Sequence, residues 1–316
     1  MRTQNQQFNM DIQVRHLTKQ YGPQKAIDDI SFDVRPGEIL GFLGPNGAGK
    51  TTTMKIITQY LDIEAGDVLI GGISIKEKGM KEQIGYLPES NPLYHEMPII
   101  DYLEYVAALQ GLTVSKTKER VREMVKVCGL DVEKHKLISE LSKGYRQRVG
   151  LAQAMIHDPA ILILDEPTTG LDPNQIIEIR DLIKNLGRQK TVLFSTHILP
   201  EVEATCDRIL IINKGKIVAD GTANTLRQQA QGQEIYHMRI EDGLVQDILQ
   251  SIRSLATVES VSVLDAGKQR FEVISKPNIP SNRQLFNLCV QNHWIITEMV
   301  PFETKLEDIF RDLTMN

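Results

Sequence analysis

The residues best suited to chemistry form an octapeptide, GPNGAGKT at residues 44–51, which fits the pattern GxxxxGK[ST]. Its glycines let the chain turn sharply and bring successive backbone N–H groups close to phosphate oxygens. The helix predicted from about Lys50 points its positive end at the same anion. Lys50 would neutralise the β and γ phosphates, and Thr51 would hold Mg²⁺. The predicted phosphate-binding residues are Gly44, Pro45, Asn46, Gly47, Ala48, Gly49, Lys50, Thr51 and Thr52.

The second motif, ILILDE, occupies residues 161–166 and ends in two acidic residues. Its four apolar residues predict a buried strand, which ends in a carboxylate, Asp165, able to orient the water shell of Mg²⁺. Glu166 follows and would project toward the γ phosphate, where hydrolysis needs a general base. A strand capped by two acidic turn residues is the alternative. The phosphate loop favours the catalytic interpretation.

Two further segments carry polar residues at the predicted ends of elements. The run LSKGYRQR at residues 141–148 opens a helix, and His197 follows an apolar strand in the run STH. Taken alone, Ser142 is typical of a helix cap, and His197 of a hydrogen-bonded turn residue rather than a catalytic one.

The bulk composition excludes several classes of protein. The 316 residues are 41% hydrophobic and 24% charged, with a net charge of -5 and a pI near 5.9. This balance argues against a nucleic-acid coat, which carries a strong basic patch. Three single cysteines without a CxxC pair indicate neither a zinc site nor a disulfide framework, and they favour a reducing compartment. No apolar run reaches the length of a spanning helix, so we expect that the chain cannot cross a membrane alone.

The main part of the chain alternates strands with helices. A helical insert is predicted from residue 98 to residue 128, where apolar residues recur with helical periodicity. Parallel pairing covered by helices on both faces is expected for the later strands. The predicted strands are residues 12–17, 26–34, 39–43, 160–164, 191–194 and 208–212.

From about residue 234 the pattern changes to a βαββαβ order, which suggests a small ferredoxin-like domain. The Gln-rich run at residues 228–233 is the expected boundary. The predicted elements are strands at 235–240, 260–264, 271–275 and 295–299 and helices at 245–255, 282–292 and 305–313.

The order of phosphate loop, helical insert, LS-x-G signature, LDEP and STH resembles the nucleotide-binding domains of ABC transporters, over about residues 11–230. It looks closest to the branch that serves ABC-2-type exporters. The runs GYLPE at 85–89 and NPLY at 91–94, with the signature LSKGYRQRVGLAQA, resemble the ATP-binding component associated with gliding motility.

The resemblance implies a fold and a division into domains. The expected fold is an α/β P-loop NTPase, with a mostly parallel sheet, an antiparallel β subdomain and a helical insert, plus a small C-terminal α+β domain. The expected boundaries are a polar tail at 1–10, a nucleotide-binding domain at 11–230 with its helical subdomain at about 92–157, and an accessory domain at 234–316.

The resemblance also assigns roles to individual residues. Tyr21 would stack on adenine, unless it is a simple turn aromatic. His197 would contact the γ phosphate, and Asp172 would carry information between two sites. In this family two domains close head to tail, so Ser142 and Gly144 would meet the partner's γ phosphate at a positive helix end.

Two positions depart from the usual family pattern. Glu89 stands where the family carries the Q-loop glutamine; it can still hold a metal-bound water, but its charge lies near the phosphates. Lys143 stands where glycine is usual in the signature. It would either add positive charge near the partner's ATP or point to solvent.

The expected function is an ATP-hydrolysing subunit of an export system, with ATP and Mg²⁺ as cofactors. Its expected partners are a membrane permease and a second nucleotide-binding subunit, identical or paralogous, and no nucleic acid is expected. Its expected location is the cytoplasmic face of the cell membrane. Residues 92–105 would lie beside the Q-loop and receive a helix of the permease. The alternative is a soluble ABC-type ATPase acting on ribosomes or DNA, which usually carries tandem domains, a basic tail or a coiled coil. The C-terminal domain would support dimerisation or sense a ligand.

Overall fold

The computed structural model of the protein describes residues 10–231, 234–277, 279–302 and 306–315. The predicted polar tail, apart from its last residue, and the end of the Gln-rich run lie outside these ranges. Within them, no helix combines the length and the apolar character that a membrane-spanning segment requires.

The chain divides after Thr222 into two compact units, and the second unit ends at Asp312. The division falls before the Gln-rich run because that run continues a helix, Ala223–Gln231, which belongs to the second unit. Glutamine has a good helix propensity, so a Gln-rich segment does not by itself mark a linker.

The first unit contains ten strands and six helices within the described residues. Its strands are β1 (Ile12–Tyr21), β2 (Gln24–Val34), β3 (Ile39–Leu43), β4 (Ala65–Ile70), β5 (Ile73–Ser74), β6 (Ile84–Leu87), β7 (Ile161–Asp165), β8 (Thr191–Thr196), β9 (Arg208–Asn213) and β10 (Lys216–Gly221). Its helices are α1 (Lys50–Ile57), α2 (Ile99–Leu109), α3 (Val114–Val127), α4 (Lys143–Met155), α5 (Pro173–Gly187) and α6 (Leu199–Thr205).

The central sheet has the strand order β10-β9-β3-β8-β7-β6. Every neighbouring pair in it is parallel except the antiparallel β9–β10 pair. Because strands of such a sheet are covered on both faces, they read as continuous apolar runs, and all five residues of β3 and of β7 are buried. A second, antiparallel sheet has the order β2-β1-β4-β5. These two sheets confirm the predicted α/β fold.

The helical insert consists of α2, α3 and α4, and it lies between β6 and β7 in the chain. Apolar residues on one side of each helix are buried, among them Leu103 of α2 and Val121 of α3. The insert places the signature run at the start of α4, with Ser142 as its N-cap. The last turn of α4 packs closely on β6, the strand that leads to Glu89.

The second unit is a four-stranded antiparallel sheet with helices. Its elements are α7 (Ala223–Gln231), β11 (Ile235–Glu241), α8 (Val245–Arg253), β12 (Val258–Asp265), β13 (Arg270–Ser275), α9 (Asn282–Gln291), β14 (Ile295–Phe302) and, up to Asp312, α10 (Leu306–Met315). The strand order β12-β13-β11-β14 is the one that a βαββαβ chain adopts in a ferredoxin-like fold, as predicted. Its core joins Met238 and Ile240 of β11 to Phe271 of β13 and Ile248 of α8.

We expect the substitution Gly85→Ala to destabilise the first unit. A Cβ atom at Gly85 would lie 2.2 Å from the backbone oxygen of Ala154, so β6 and α4 would have to separate. Overpacking of this kind costs about 1–3 kcal/mol, which lowers Tm by roughly 2–12 °C in a unit of this size. Thermal unfolding followed by circular dichroism measures the shift.

The matched control is Gly267→Ala, in a turn of the second unit. There the nearest atom to a new Cβ is Asp265 Oδ1 at 3.5 Å, which is ordinary contact. If Gly85→Ala unfolds at the same temperature as the unsubstituted protein, the close approach of β6 and α4 is wrong.

Candidate nucleotide site

The phosphate loop connects β3 to α1 and is held against neighbouring backbone. A Cβ atom at Gly44 would lie 2.5 Å from the backbone oxygen of Ile212, and one at Gly49 would lie 2.5 Å from that of Ala26. Gly49 also has a φ of 114°, a conformation that L side chains rarely adopt. Side chains are therefore excluded at both positions. Gly49 caps α1 without a side-chain acceptor, so the first N–H groups of the helix are available to an anion.

Lys50 lies inside the site with only 6% of its surface exposed. Its ammonium donates to the carbonyl oxygens of Gly44, at 2.7 Å, and Pro45, at 3.3 Å. It also lies 3.5 Å from Glu166 Oε1, so β7 and the phosphate loop are joined by an ion pair between two buried side chains. A buried charge needs such partners, and phosphate oxygens could replace them.

A cavity of about 340 Å³ opens above these residues. It brings together most of the predicted phosphate loop with Glu89, Glu166 and His197, which are far apart in the chain. Its lining residues are Ala26, Asn46, Gly47, Gly49, Lys50, Thr51, Thr52, Glu89, Glu166, Thr169 and His197. Ala26 and Thr169 were not among the predicted site residues.

Asp165 is fully buried at the end of β7. Its Oδ1 accepts a hydrogen bond from the Ser195 hydroxyl at 2.6 Å, whereas its Oδ2 has no hydrogen-bond partner among the described residues. Burial raises the pKa of Asp165, and the nearby hydroxyls of Ser195 and Thr51 offset this only in part. A hydroxyl and a partnerless carboxylate oxygen are hard oxygen ligands, so the residues fit a divalent cation such as Mg²⁺.

No group of three or more His, Cys, Asp or Glu side chains in the described part of the chain could hold a metal ion. The predicted set of Thr51, Glu89 and Asp165 is not of that kind, since one of its members is a hydroxyl. A cation at this place would take its remaining ligands from water and phosphate, as Mg²⁺ usually does.

Glu166 has a strained backbone and well-defined side-chain contacts. Its φ is 49°, which costs a residue with a Cβ atom about 1–2 kcal/mol, and its backbone N–H donates to both oxygens of Ser195. Its Oε2 lies 2.9 Å from His197 Nδ1 and accepts from the Thr169 hydroxyl at 3.1 Å. The structure thus brings the predicted base and the predicted phosphate-sensing histidine into direct contact.

Nine of the predicted residues do not line the cavity of their own chain: Gly44, Pro45 and Ala48 of the phosphate loop, Asp165 at the end of β7, and Tyr21, Ser142, Lys143, Gly144 and Asp172. Tyr21 is half-exposed at the end of β1. Ser142 caps α4 by accepting from the N–H of Tyr145 at 3.4 Å, and Asp172 caps α5 by accepting from that of Gln175 at 3.0 Å.

Lys143 extends over the loop that follows β7. A Cβ atom at Gly170 would lie 2.1 Å from Lys143 Nζ, so the ammonium contacts this loop directly. Lys143 is thus exposed but in contact with this loop, and a position of its charge near the partner's ATP stays a prediction.

The substitution Asp165→Asn should raise the Tm of the nucleotide-free protein, because it removes a buried negative charge and keeps an oxygen that accepts from Ser195. Asp165 has a pKa of 3.8 in the unfolded chain and a higher pKa in the folded protein. At a pH between the two pKa values, the folded state therefore binds more protons than the unfolded chain. Stability is therefore lost as pH rises through that window, and the gain from Asp165→Asn is largest above it. Thermal unfolding at a series of pH values measures this difference.

Asp131→Asn serves as the control, because the side chain of Asp131 is 62% exposed and its nearest ion pair spans 3.9 Å. It should change Tm very little at any pH. A lower Tm for Asp165→Asn at neutral pH would show that the carboxylate stabilises the site without a cation.

Comparison with known proteins is consistent with this geometry. A family model described as "ABC transporter" matches residues 27–169, and one described as "AAA domain, putative AbiEii toxin, Type IV TA system" matches residues 137–202. The chain is 36% identical to YhcH, an ABC transporter ATP-binding protein of Bacillus subtilis, over 96% of this chain and 95% of the relative.

Two further comparisons agree. The linearmycin resistance ATP-binding protein LnrL of Bacillus subtilis is 31% identical over 96% of this chain and 98% of its own. A solved structure of the ATP-binding subunit of an ABC transporter is 30% identical, covers 69% of this chain and 92% of its own, and superposes with a TM-score of 0.63. With the phosphate loop, the signature helix and the acidic strand end in their expected places, this chain belongs to the family of ABC transporter ATP-binding proteins.

Proposed function

We propose that this chain hydrolyses ATP with Mg²⁺ in the cavity between the phosphate loop and β7, and so drives a separate membrane permease. One observation carries the proposal: Glu166 contacts both Lys50 and His197, with separations of 3.5 Å and 2.9 Å. A carboxylate base, a cation and an imidazole thus converge on one cavity, which is the arrangement that water attack on a phosphate requires.

Phosphate binding would be the task of Lys50 and the start of α1. The ammonium now held by Gly44 O and Pro45 O would turn to the β and γ phosphates, and the free N–H groups of the loop and helix would donate to the same oxygens. Mg²⁺, when bound, neutralises phosphate charge. Thr51 and Asp165 would hold it, and Glu89 would hold one of its waters.

Glu166 would take the proton from the attacking water. Its Oε2 is oriented by Thr169 and His197, and it is buried enough that its interactions are stronger than they would be in water. His197, whose side chain is 43% exposed, would donate to the γ phosphate from its other ring nitrogen. We propose direct attack by water without a covalent intermediate, because the carboxylate of Glu166, held by Thr169 and His197, is placed as the base for that water.

A second nucleotide-binding subunit, identical or paralogous, would complete the site. Ser142 is exposed at the start of α4, and no residue of the signature lines the cavity of its own chain. The signature is therefore available to a neighbour. Asp172 would carry contacts between the two sites, and Tyr21, exposed at the end of β1, would stack on adenine.

The surface formed by residues 92–105, which follow Glu89 in the chain, is suited to the permease. Three aromatic rings cluster there: Tyr94 lies 5.7 Å from Tyr105 and 5.9 Å from Tyr102, measured between ring centroids. Tyr94 and Tyr105 are 57% and 39% exposed, so apolar surface is left uncovered. This agrees with the proposal that residues 92–105 receive a helix of the membrane subunit.

Two observations favour export over another use of ATP: the signature run, and the name of one relative, LnrL, which is a linearmycin resistance protein. We propose an ABC-2-type exporter, with this subunit bound peripherally at the cytoplasmic face of the cell membrane. Within that branch, the runs at 85–89 and 91–94 are the basis for proposing a role in gliding-motility machinery.

The substitution Glu166→Gln should retain ATP binding and lower hydrolysis by at least about 100-fold, the usual contribution of a general base. Because the γ phosphate is no longer removed, the protein should elute as a dimer in size-exclusion chromatography with ATP and Mg²⁺, and as a monomer without them. Lys50→Ala is the control, since it removes the phosphate contact and should stay monomeric under both conditions. Normal hydrolysis by Glu166→Gln would remove the base from its role, and an ATP-bound monomer would contradict dimerisation by nucleotide alone.

A photo-crosslinking amino acid at position 105 should capture a multi-spanning membrane protein when the full chain is expressed in its native cells. The same amino acid at Val132, which is 84% exposed in the same helical insert, is the matched control. Mass spectrometry identifies the product. Equal capture from both positions, or capture of soluble proteins only, would contradict the proposed permease surface.

A further inference from the structure

One buried carboxylate lies outside the nucleotide cavity. Glu201, in the first turn of α6, is 2% exposed and does not line the cavity. Its Oε2 accepts hydrogen bonds from the hydroxyls of Thr168, at 2.8 Å, and Thr196, at 2.7 Å. Its Oε1 is buried with no hydrogen-bond partner among the described residues. An acidic side chain is rarely buried to this extent unless its contacts compensate, so the two hydroxyls are its principal support.

The two threonines lie next to the two residues that carry the proposed chemistry, Thr168 in the loop after β7 and Thr196 as the last residue of β8. Thr168 lies two residues after Glu166, and Thr196 directly precedes His197. Thr196 Oγ1 also accepts from the backbone N–H of Ile198 at 3.0 Å, so its hydroxyl links the chain on both sides of His197. One oxygen of Glu201 therefore joins the loop after β7 to the end of β8, from which the loop with His197 begins.

Such a link is needed because the sheet ends just before these loops. In the ladder between β7 and β8 the last paired residues are Asp165 and Ser195, and Thr196 pairs on the other side with Leu43 of β3. Beyond them, the chain turns through the positive φ of Glu166, a conformation that persists only where the surroundings determine it. The contact between Glu166 Oε2 and His197 Nδ1 depends on the separation of the two loops beyond the ladder, where Glu201 binds both.

We propose that Glu201 is a positioning residue of the hydrolytic site: its carboxylate sets the distance between the Glu166 loop and the His197 loop without touching nucleotide. This inference rests on the proposed hydrolysis of ATP. Loss of the carboxylate lets the loops separate, and a shift of about 1 Å in a catalytic group can lower its rate by about 100-fold. Nucleotide affinity, which depends on the phosphate loop, is unchanged.

The test compares Glu201→Ala, Glu201→Gln, Thr168→Val and Thr196→Val in the full chain, with kcat, KM and ATP affinity measured for each. Glu201→Ala should lower kcat by about 10–100-fold and leave KM within about twofold. Glu201→Gln keeps an oxygen that accepts from both hydroxyls, so it should restore kcat to within about threefold of the unsubstituted protein. Each Thr→Val variant removes one link at nearly constant volume and should lower kcat by about three- to tenfold.

Thr205→Val is the matched control. Thr205 lies on the same helix, is buried, and its hydroxyl has no partner in the part of the chain that the structure describes, so its loss should leave kcat unchanged.

If Glu201→Ala fails to fold, the two Thr→Val variants at 168 and 196 decide: lower kcat at constant KM supports the link, and normal kcat overturns it. Equal losses of kcat in Glu201→Ala and Glu201→Gln, or losses in ATP affinity alone, also overturn it. An unsubstituted protein that binds ATP without hydrolysing it would refute the proposed hydrolysis, whereas normal hydrolysis by every variant would refute only the role of Glu201.

Discussion

The site depends on how two adjacent acidic side chains, Asp165 and Glu166, are kept buried at the end of one strand. Glu166 has two partners within ion-pair distance, Lys50 at 3.5 Å and His197 at 2.9 Å, whereas one oxygen of Asp165 has no hydrogen-bond partner in the described structure. Burial of uncompensated negative charge is unfavourable, so the site favours the binding of cations. ATP alone would add more negative charge, whereas a metal-bound nucleotide brings the missing positive charge with it. A joint requirement for nucleotide and metal ion would follow from the negative charge of the two carboxylates.

The parallel sheet makes this arrangement possible. Neighbouring strands β3, β8 and β7 end at the same edge, so the phosphate loop, His197 and the two carboxylates meet there although they are spread over the chain. Packing fixes the loop from outside as well: the backbone oxygens of Ala26 and Ile212 leave room for glycine alone at Gly49 and Gly44. The geometry of the anion site therefore depends on contacts with both sheets of the first unit.

Long apolar runs and Gly-rich spacing made β3, β7 and the phosphate loop predictable, since each pattern has few structural solutions. The short strands β4, β5, β6 and β10 were not predicted, because runs of two to six residues are too short to show a clear period. The capping role of Ser142 was predictable from its position before the helix. The contact of Lys143 with Gly170 and the burial of Glu201 were not, because they depend on how distant loops pack rather than on local pattern.

The second unit has a property that follows from its strand order. Because β11 pairs with β14, the residue that opens the sheet, Ile235, lies opposite the residue that closes it, Phe302. Paired residues in an antiparallel ladder have Cα atoms only about 5 Å apart. The segment from Ile235 to Phe302 thus begins and ends at neighbouring positions. If it were deleted, a short linker could join the two ends. Segments whose two ends lie this close are the ones that proteins tolerate as insertions.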